Sequence, residues 1–182
     1  MKIKLLAIVL ILFAESGYSQ SLEKLRSDTK KLYAAFHDID IEGITEMICT
    51  NGDTLAVKEQ LDKWFLNDES KFRFVLTDAK YNISPIKKSD NKSFCEITFR
   101  NVVRITYFKL QSTEVLTQQK ILKEKYNAQT ITYDKTRNAF LIVYNAKLGA
   151  YADEGSAWKF IFYDNTVPES IIKNCFPDAN KK

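Results

Sequence analysis

Side chains capable of acid–base chemistry cluster at His37, Asp38 and Asp40, where two predicted helices meet. His37 is the single histidine of the chain, and a histidine or carboxylate that is held near a reacting group can serve as a general base. Two observations argue against that role. Neighbouring side chains on a helix do not face each other, and Asp40 stands at a helix N-cap position. The alternative for His37 is an exposed residue at a helix C-terminus, where the helix dipole favours a cation.

Other reactive motifs are missing from the sequence. Nothing resembles a motif around a nucleophilic Ser or Cys, and no glycine-rich phosphate loop is present. Glu42 and Glu46 are four residues apart, and we interpret them as a solvated helix face rather than as a general acid/base pair. With one histidine, a His/Cys zinc site is not expected. We therefore expect no metal and no cofactor, and we assign no catalytic residue beyond the three candidates above.

The aromatic residues are stronger candidates for a functional site than the acid–base residues. Tyrosine and tryptophan combine an apolar body with a polar tip, so they can line a ligand cavity. The residues that we consider for ligand binding are Tyr33, Phe36, Trp64, Tyr81, Asn101, Tyr107 and Tyr144. The alternative is that the aromatic side chains fill a hydrophobic core and that Asn101 lies at a bend.

The start of the chain has the three-part plan of a secretory signal peptide. Lys2 and Lys4 give a positive start, and an unbroken apolar run follows over residues 5–14. This run is about half of the roughly 20 residues that a membrane-spanning helix needs. We expect cleavage near Ser19 and Gln20, which leaves a periplasmic or secreted protein with no stable membrane span.

The remaining residues, 20–182, are predicted to form a single domain. Removal of residues 1–19 lowers the formal net charge from +4 to +3, and this small charge is spread along the chain, so we do not expect a nucleic-acid partner. The hydrophobic content of 45% supports a full core and argues against disorder. The partners that we consider are a small apolar ligand, another exported protein and a second copy of the chain.

Three cysteines, Cys49, Cys95 and Cys175, lie in apolar patterns. An exported protein could join two of them, and the three pairings stay open at this stage. Because cysteine is commonly a small core residue, we favour three buried free thiols over a disulfide.

Helices are predicted where apolar residues recur at helical spacing: over 21–36, from about residue 40, over 55–65 and over 115–126. Asp40 is a good N-cap, and Ile39 and Ile44 take the two positions of a hydrophobic staple. Thr166 and Glu169 form a capping box for a last short helix, which is expected to close one end of the core.

Strands are predicted where apolar residues alternate: over 71–77, around residues 81–83, and over 93–110, 128–134, 139–146 and 158–163. In the long strand the odd-numbered residues form the apolar face, and Asn101 interrupts that face, which indicates curvature or a pocket lining. The apolar face changes between Leu76 and Tyr81, which indicates a bulge or bend. Residues 151–155 are predicted to form a turn after a short strand.

Three of these features together resemble a known family. The first helix ends in LYAAFHDIDIEGITEMI, a strongly bent antiparallel sheet follows, and the tail combines WKFI at 158–161 with a short helix that ends in CFP at 175–177. This combination resembles small exported bacterial proteins of the nuclear-transport-factor-2-like superfamily, the cystatin-like α+β cone, over most of residues 21–177. The resemblance implies an α+β fold in which a curved, mostly antiparallel sheet wraps around N-terminal helices, with a short C-terminal helix. The helix over 115–126 departs from the simplest cone and leaves the strand order open.

Enzymes of this superfamily, such as steroid isomerases and dehydratases, use a carboxylate or a His–Asp pair inside the cavity. Two functions follow. The preferred hypothesis is a non-catalytic exported module that binds a small apolar ligand or a protein partner. The alternative is an isomerase- or dehydratase-type enzyme with Asp38 or Asp40 as the base, which requires a carboxylate or His37 to point into a pocket lined by the aromatic set.

Overall fold

The computed structural model describes residues 22–50, 52–76, 78–89 and 91–162. In these ranges the chain is α+β, with four helices and a curved antiparallel sheet of seven strands that does not close into a barrel. The predicted signal peptide, the predicted last helix and Cys175 lie outside the described residues.

The helices are α1 over 22–38, α2 (Ile41–Met47), α3 (Thr54–Phe65) and α4 (Val115–Tyr126). The strands are β1 (Ser70–Phe74), β2 (Tyr81–Ile83), β3 (Lys87–Ser89), β4 (Lys92–Tyr107), β5 (Thr130–Asp134), β6 (Ala139–Asp153) and β7 (Lys159–Phe162). The predicted bounds of α4 agree with the structure, and α3 begins one residue earlier than predicted.

A long ladder between β4 and β6 forms the centre of the sheet. The two strands pair antiparallel without a register break from Lys92, opposite Asp153, to Thr106, opposite Ala139. The odd-numbered residues of β4 face the core, as the alternation predicts. Those that are buried are Cys95, Ile97, Phe99, Asn101, Val103 and Ile105.

Shorter strands flank this ladder on both sides. β1, β2 and β3 pair with β4, whereas β5 and β7 pair with β6. Phe74 lies opposite Val103 but Tyr81 lies opposite Phe99, so the six residues 75–80 span three residues of β4. This insertion is the bend that the change of apolar face predicts, and it ends β1 at Phe74 instead of residue 77.

Two strand predictions at the other end of the ladder are wrong. β6 continues to Asp153, so it does not stop at residue 146, and the predicted turn over 151–155 begins only at Glu154. Small side chains hide the alternation in this part of the strand, although the core face continues through Ala146, Leu148, Ala150 and Ala152. β3 was not predicted because all three of its side chains are exposed.

The junction between α1 and α2 follows its capping residues. Asp40 caps α2, and its carboxylate accepts a hydrogen bond of 2.9 Å from the Gly43 N–H. The chain reverses at Ile39, whose φ of 60° lies in the left-handed region that β-branched residues rarely adopt. The Asp40 N–H donates to the Ala35 carbonyl at 2.9 Å, which closes the last turn of α1.

The cysteines divide into two kinds. Cys95 is a buried free thiol, and burial raises its pKa from 9.0 to about 12. Cys49 is disulfide-bonded, so the prediction of three free thiols is wrong. The apolar spacing around Cys49 predicted a buried thiol, but Cys49 is only partly buried. The spacing carried no information about pairing, since pairing depends on which segments meet in the fold. The Cys49 N–H also donates to the Phe160 carbonyl of β7 at 2.9 Å.

Within the described ranges, no helix combines the length and apolarity that crossing a membrane requires.

Candidate functional site

The three acid–base candidates lie at the exposed α1–α2 junction. The Nδ1 atom of His37 lies 2.9 Å from Asp38 Oδ1, so these neighbours do meet, contrary to the expectation for residues adjacent on a helix. Their contact is possible because Asp38 is the last helical residue. The side chains are 34% and 71% exposed, and Asp40 is engaged in its cap.

Three of the predicted binding residues form a buried hydrogen-bonded network. The Tyr33 hydroxyl donates to Asn101 Oδ1 at 3.0 Å, and Asn101 Nδ2 donates to the Tyr144 hydroxyl at 3.0 Å. The Val102 N–H also donates to Asn101 Oδ1, at 2.9 Å. Asn101 is 0% exposed, and burial raises the pKa of Tyr33 to about 12, so this phenol stays protonated and acts as a donor.

The aromatic residues around this network contact one another. Tyr33 packs edge-on against Phe74, Tyr81 and Phe99, with ring centroids 5.6 to 6.3 Å apart. Phe36 packs against Trp64 at 5.9 Å. Six of the seven predicted binding residues thus belong to one packed unit, the aromatic core cluster, formed by Tyr33, Phe36, Trp64, Tyr81, Asn101 and Tyr144 with their phenylalanine neighbours. Tyr33, Phe36 and Trp64 belong to α1 and α3, and the other three residues belong to strands of the sheet.

The seventh predicted residue, Tyr107, also packs against the hydrophobic core, but it lies at the end of β4. It lines an open groove with a volume of about 480 Å³ between the start of β1, the loop after β4 and the first turn of α4. The residues that line this Tyr107 groove are Glu69, Tyr107, Lys109, Leu110, Thr113, Glu114, Thr117 and Gln118.

Strand pairing brings the two sides of the groove together. Ser70 lies opposite Tyr107, and one residue further the Phe108 N–H donates to the Glu69 carbonyl at 3.0 Å. Glu69 is therefore held next to a residue that is far away in the sequence. The charge of Glu69 contributes to the raised pKa of Tyr107, which places its carboxylate near the phenol.

Asn138, in the turn between β5 and β6, fixes the loop after β4. Its Nδ2 donates to the carbonyls of Tyr107, at 3.0 Å, and Leu110, at 3.4 Å. Its Oδ1 accepts a hydrogen bond of 2.7 Å from the Tyr133 hydroxyl. With a φ of 50°, Asn138 adopts a left-handed conformation that asparagine tolerates. The Asn138 side chain thus connects the loop after β4, which lines the groove, to the turn between β5 and β6.

The Tyr107 side chain is held on two sides. Gln118 Nε2 donates to the Tyr107 hydroxyl at 2.6 Å, and the Tyr107 ring packs edge-on against Phe140. Burial raises the pKa of Tyr107, Glu69 raises it further, and the Gln118 hydrogen bond lowers it in part. The phenol is therefore protonated at neutral pH, and it can donate its own proton to a bound group.

Glu114 is positioned by the backbone of the preceding turn. Its Oε2 accepts a hydrogen bond of 2.9 Å from the Gln111 N–H, as the glutamate of a capping box does. Sequence reasoning missed all the lining residues except Tyr107. A polar run, KLQSTE at 109–114, precedes α4 and was the available signal. That run does not reveal that Glu69 lies across from it.

No protein-family model matches the chain, and no curated protein matches it significantly. Among the residues described, no three His, Cys, Asp or Glu side chains lie close enough together to hold a metal ion.

Proposed function

We propose that this chain is a non-catalytic exported binding module of the nuclear-transport-factor-2-like superfamily, and that it binds a small ligand in the Tyr107 groove. The observation that carries the proposal is the separation of packed and open regions. The side chains of the aromatic core cluster are buried or partly buried against one another, whereas the groove at the end of β4 is open and has a volume of about 480 Å³, within the range of small-molecule sites.

The groove residues favour binding over proton transfer. A general base works best when its pKa lies near the operating pH, and the pKa of Tyr107 is shifted upward, away from neutrality. The Glu114 carboxylate already accepts a backbone hydrogen bond. The candidate base residues His37, Asp38 and Asp40 belong to the α1–α2 junction and do not line the groove.

The superfamily assignment is supported by the way the first helix meets the sheet. α1 places Tyr33 and Phe36 against the core face of β1 and β4. The curved open sheet has the same character as the sheet of the family. α4 remains the departure, because it connects β4 to β5 and packs on the β5–β6 side of the sheet.

A binding experiment tests the site. A library of small fragments is screened by amide chemical shifts of the labelled protein, and we expect shifts that map to residue 69 and to 107–118. Thr117→Trp, which fills the groove, should abolish them, whereas Lys120→Trp, on the same helix but outside the lining, should not. Shifts that map to Asn101 and Tyr144, or binding that survives Thr117→Trp, would overturn the proposal. So would turnover of a steroid isomerase substrate that is lost in Asp38→Asn.

A second experiment tests export. The full chain is expressed in a bacterial host, and the cell fractions are examined by mass spectrometry. We expect a periplasmic or secreted protein that begins near Gln20. A protein that keeps residues 1–19 and stays in the cytoplasm would contradict this part of the proposal.

A further inference from the structure

We infer that the Tyr107 groove binds a neutral polyhydroxylated ligand of the saccharide class; this inference rests on the proposed function and specifies its ligand. The side chains that line the groove are the first evidence for this ligand class. Seven of its eight side chains carry a polar group, and Leu110 is the exception. A purely apolar ligand would remove these groups from water, which costs free energy for each group that has no other hydrogen-bond partner.

The mixture of donors and acceptors selects the ligand chemistry. Glu69 and Glu114 can only accept hydrogen bonds, Lys109 can only donate them, and the Thr, Tyr and Gln side chains can do both. A hydroxyl group is both donor and acceptor. A ligand with hydroxyl groups at successive positions can therefore satisfy either kind of neighbour, whereas an amine or a carboxylate satisfies one kind alone.

The charges of the lining point in the same direction. An anionic ligand would be repelled by the carboxylates of Glu69 and Glu114. A polycation would be attracted by these carboxylates, but it would also lie near the ammonium group of Lys109, which offsets one of them. Like charges at short range cost free energy, most of all in a partly enclosed site. A neutral ligand avoids both costs.

Several polar groups of the lining, donors and acceptors alike, are already oriented. Gln118 and Phe140 hold the Tyr107 side chain, and the Gln111 N–H holds Glu114. Asn138 ties the loop to the sheet. A preorganised polar site loses less side-chain entropy on binding, so it can hold a hydrophilic ligand that gains little from apolar burial. The groove is open on one side, which permits a chain of sugar units to extend into solvent.

The test is a titration of the labelled full chain with a panel of neutral mono- and disaccharides, followed by amide chemical shifts. Spermidine, citrate and an alkyl alcohol are the charged and apolar comparison probes. We expect the saccharides, and not the comparison probes, to shift residue 69 and residues 107–118. Gln118→Leu should weaken binding by about tenfold or more, whereas Gln119→Leu, the neighbouring glutamine outside the lining, should leave it unchanged. Far-UV circular dichroism of both variants shows that they are folded.

The outcomes separate this inference from the proposed function. Fragments that bind in the groove while no saccharide does would overturn the saccharide class and leave the binding module intact. Binding of spermidine or citrate alone would overturn it as well, in favour of a charged ligand. If neither fragments nor saccharides bind, both proposals fail. Equal affinity in Gln118→Leu and the unmodified chain would show that the saccharide binds elsewhere.

Discussion

The core and the groove each contain a tyrosine hydrogen-bonded to a side-chain amide, but in opposite environments. Asn101 joins Tyr33 and Tyr144 in the interior, where all three residues are buried. Gln118 donates a hydrogen bond to Tyr107, and both residues line an open groove. Solvent or a ligand can therefore replace either partner of this hydrogen bond. The same chemical pair thus stabilises the fold in one region and orients a binding surface in the other. The predictions below test this difference, beginning with the largest effect.

Two phenylalanine substitutions provide the strongest test of the difference between the core and the groove. Phe36 is 2% exposed and packs against Trp64, Phe65 and Phe74, so Phe36→Ala should lower the free energy of unfolding by about 3–5 kcal/mol. Phe108, beside the groove, is 49% exposed, and Phe108→Ala should cost about 1 kcal/mol or less. Urea unfolding of both variants measures the difference. Equal losses would mean that the loop after β4 is as tightly packed as the core.

The two amides are compared next. Asn101→Leu leaves the hydroxyls of Tyr33 and Tyr144 without their partner, and it should lower the free energy of unfolding by about 2–3 kcal/mol. Gln118→Leu should cost under about 1 kcal/mol, because the Tyr107 hydroxyl can turn to water. The same urea experiment applies. A loss of under about 1 kcal/mol in Asn101→Leu would contradict a structural role for the network.

Alkaline pH should lower the stability of the fold through the buried phenol of Tyr33. Burial raises the pKa of Tyr33 from 10.0 to about 12. Between these values the folded protein retains a proton that the unfolded chain has lost, so the free energy of unfolding falls as pH rises from 10.0 to about 12. Below pH 10.0 this contribution to stability is complete. The loss from this one group is about 2–3 kcal/mol, and Tyr33→Phe should remove it.

Cys95 makes a second contribution to the loss of stability at alkaline pH, and this contribution begins at a lower pH than that of Tyr33. Burial raises its pKa from 9.0 to about 12, so stability should begin to fall above pH 9.0 and Cys95→Ala should remove that early part. Urea unfolding at a series of pH values measures each slope. If Tyr107→Phe flattens the profile more than Tyr33→Phe does, the groove tyrosine is the more enclosed of the two and the comparison fails.

The smallest effect concerns two asparagines in left-handed conformations, Asn138 and Asn127. Glycine accepts such a φ, so Asn→Gly isolates the side chain. Asn138→Gly loses the hydrogen bonds to Tyr107, Leu110 and Tyr133 and should cost about 1 kcal/mol. It should also broaden the amide signals of the groove loop. Asn127→Gly, the control at the end of α4, should change stability by about 0.5 kcal/mol or less. Sharp loop signals in Asn138→Gly would show that the loop is held by other contacts.

Local periodicity predicted most of the elements. The bounds of α4 and the odd-numbered core face of β4 follow from residues within one segment, and so does the Asp40 cap. The predictions failed where the local signal was missing. Small residues concealed the end of β6, exposed lysines concealed β3, and the spacing of cysteines said nothing about the bond at Cys49.

The residues predicted to bind a ligand show the same limit of sequence-based prediction. Aromatic type alone selected Tyr33, Trp64 and Tyr107 together, although the first two are packed in the core and the third lines the groove. Residue type determines what a side chain can do, but exposure to solvent decides whether a ligand can reach it. Exposure depends on which elements cover the residue, and no single segment contains that information.

The sequence by itself determined most of the helices and strands, the alternating faces of β4 and the cap of α2, because each depends on residues a few positions apart. Only the tertiary structure decided that Tyr33 meets Asn101 across 68 positions and that Glu69 faces the first turn of α4. The physical reason is that the fold brings together segments that lie far apart in the chain. Tyr33 reaches Asn101 from α1 in the buried core, whereas the pairing of β1 with β4 places Glu69 beside Tyr107 at an open groove.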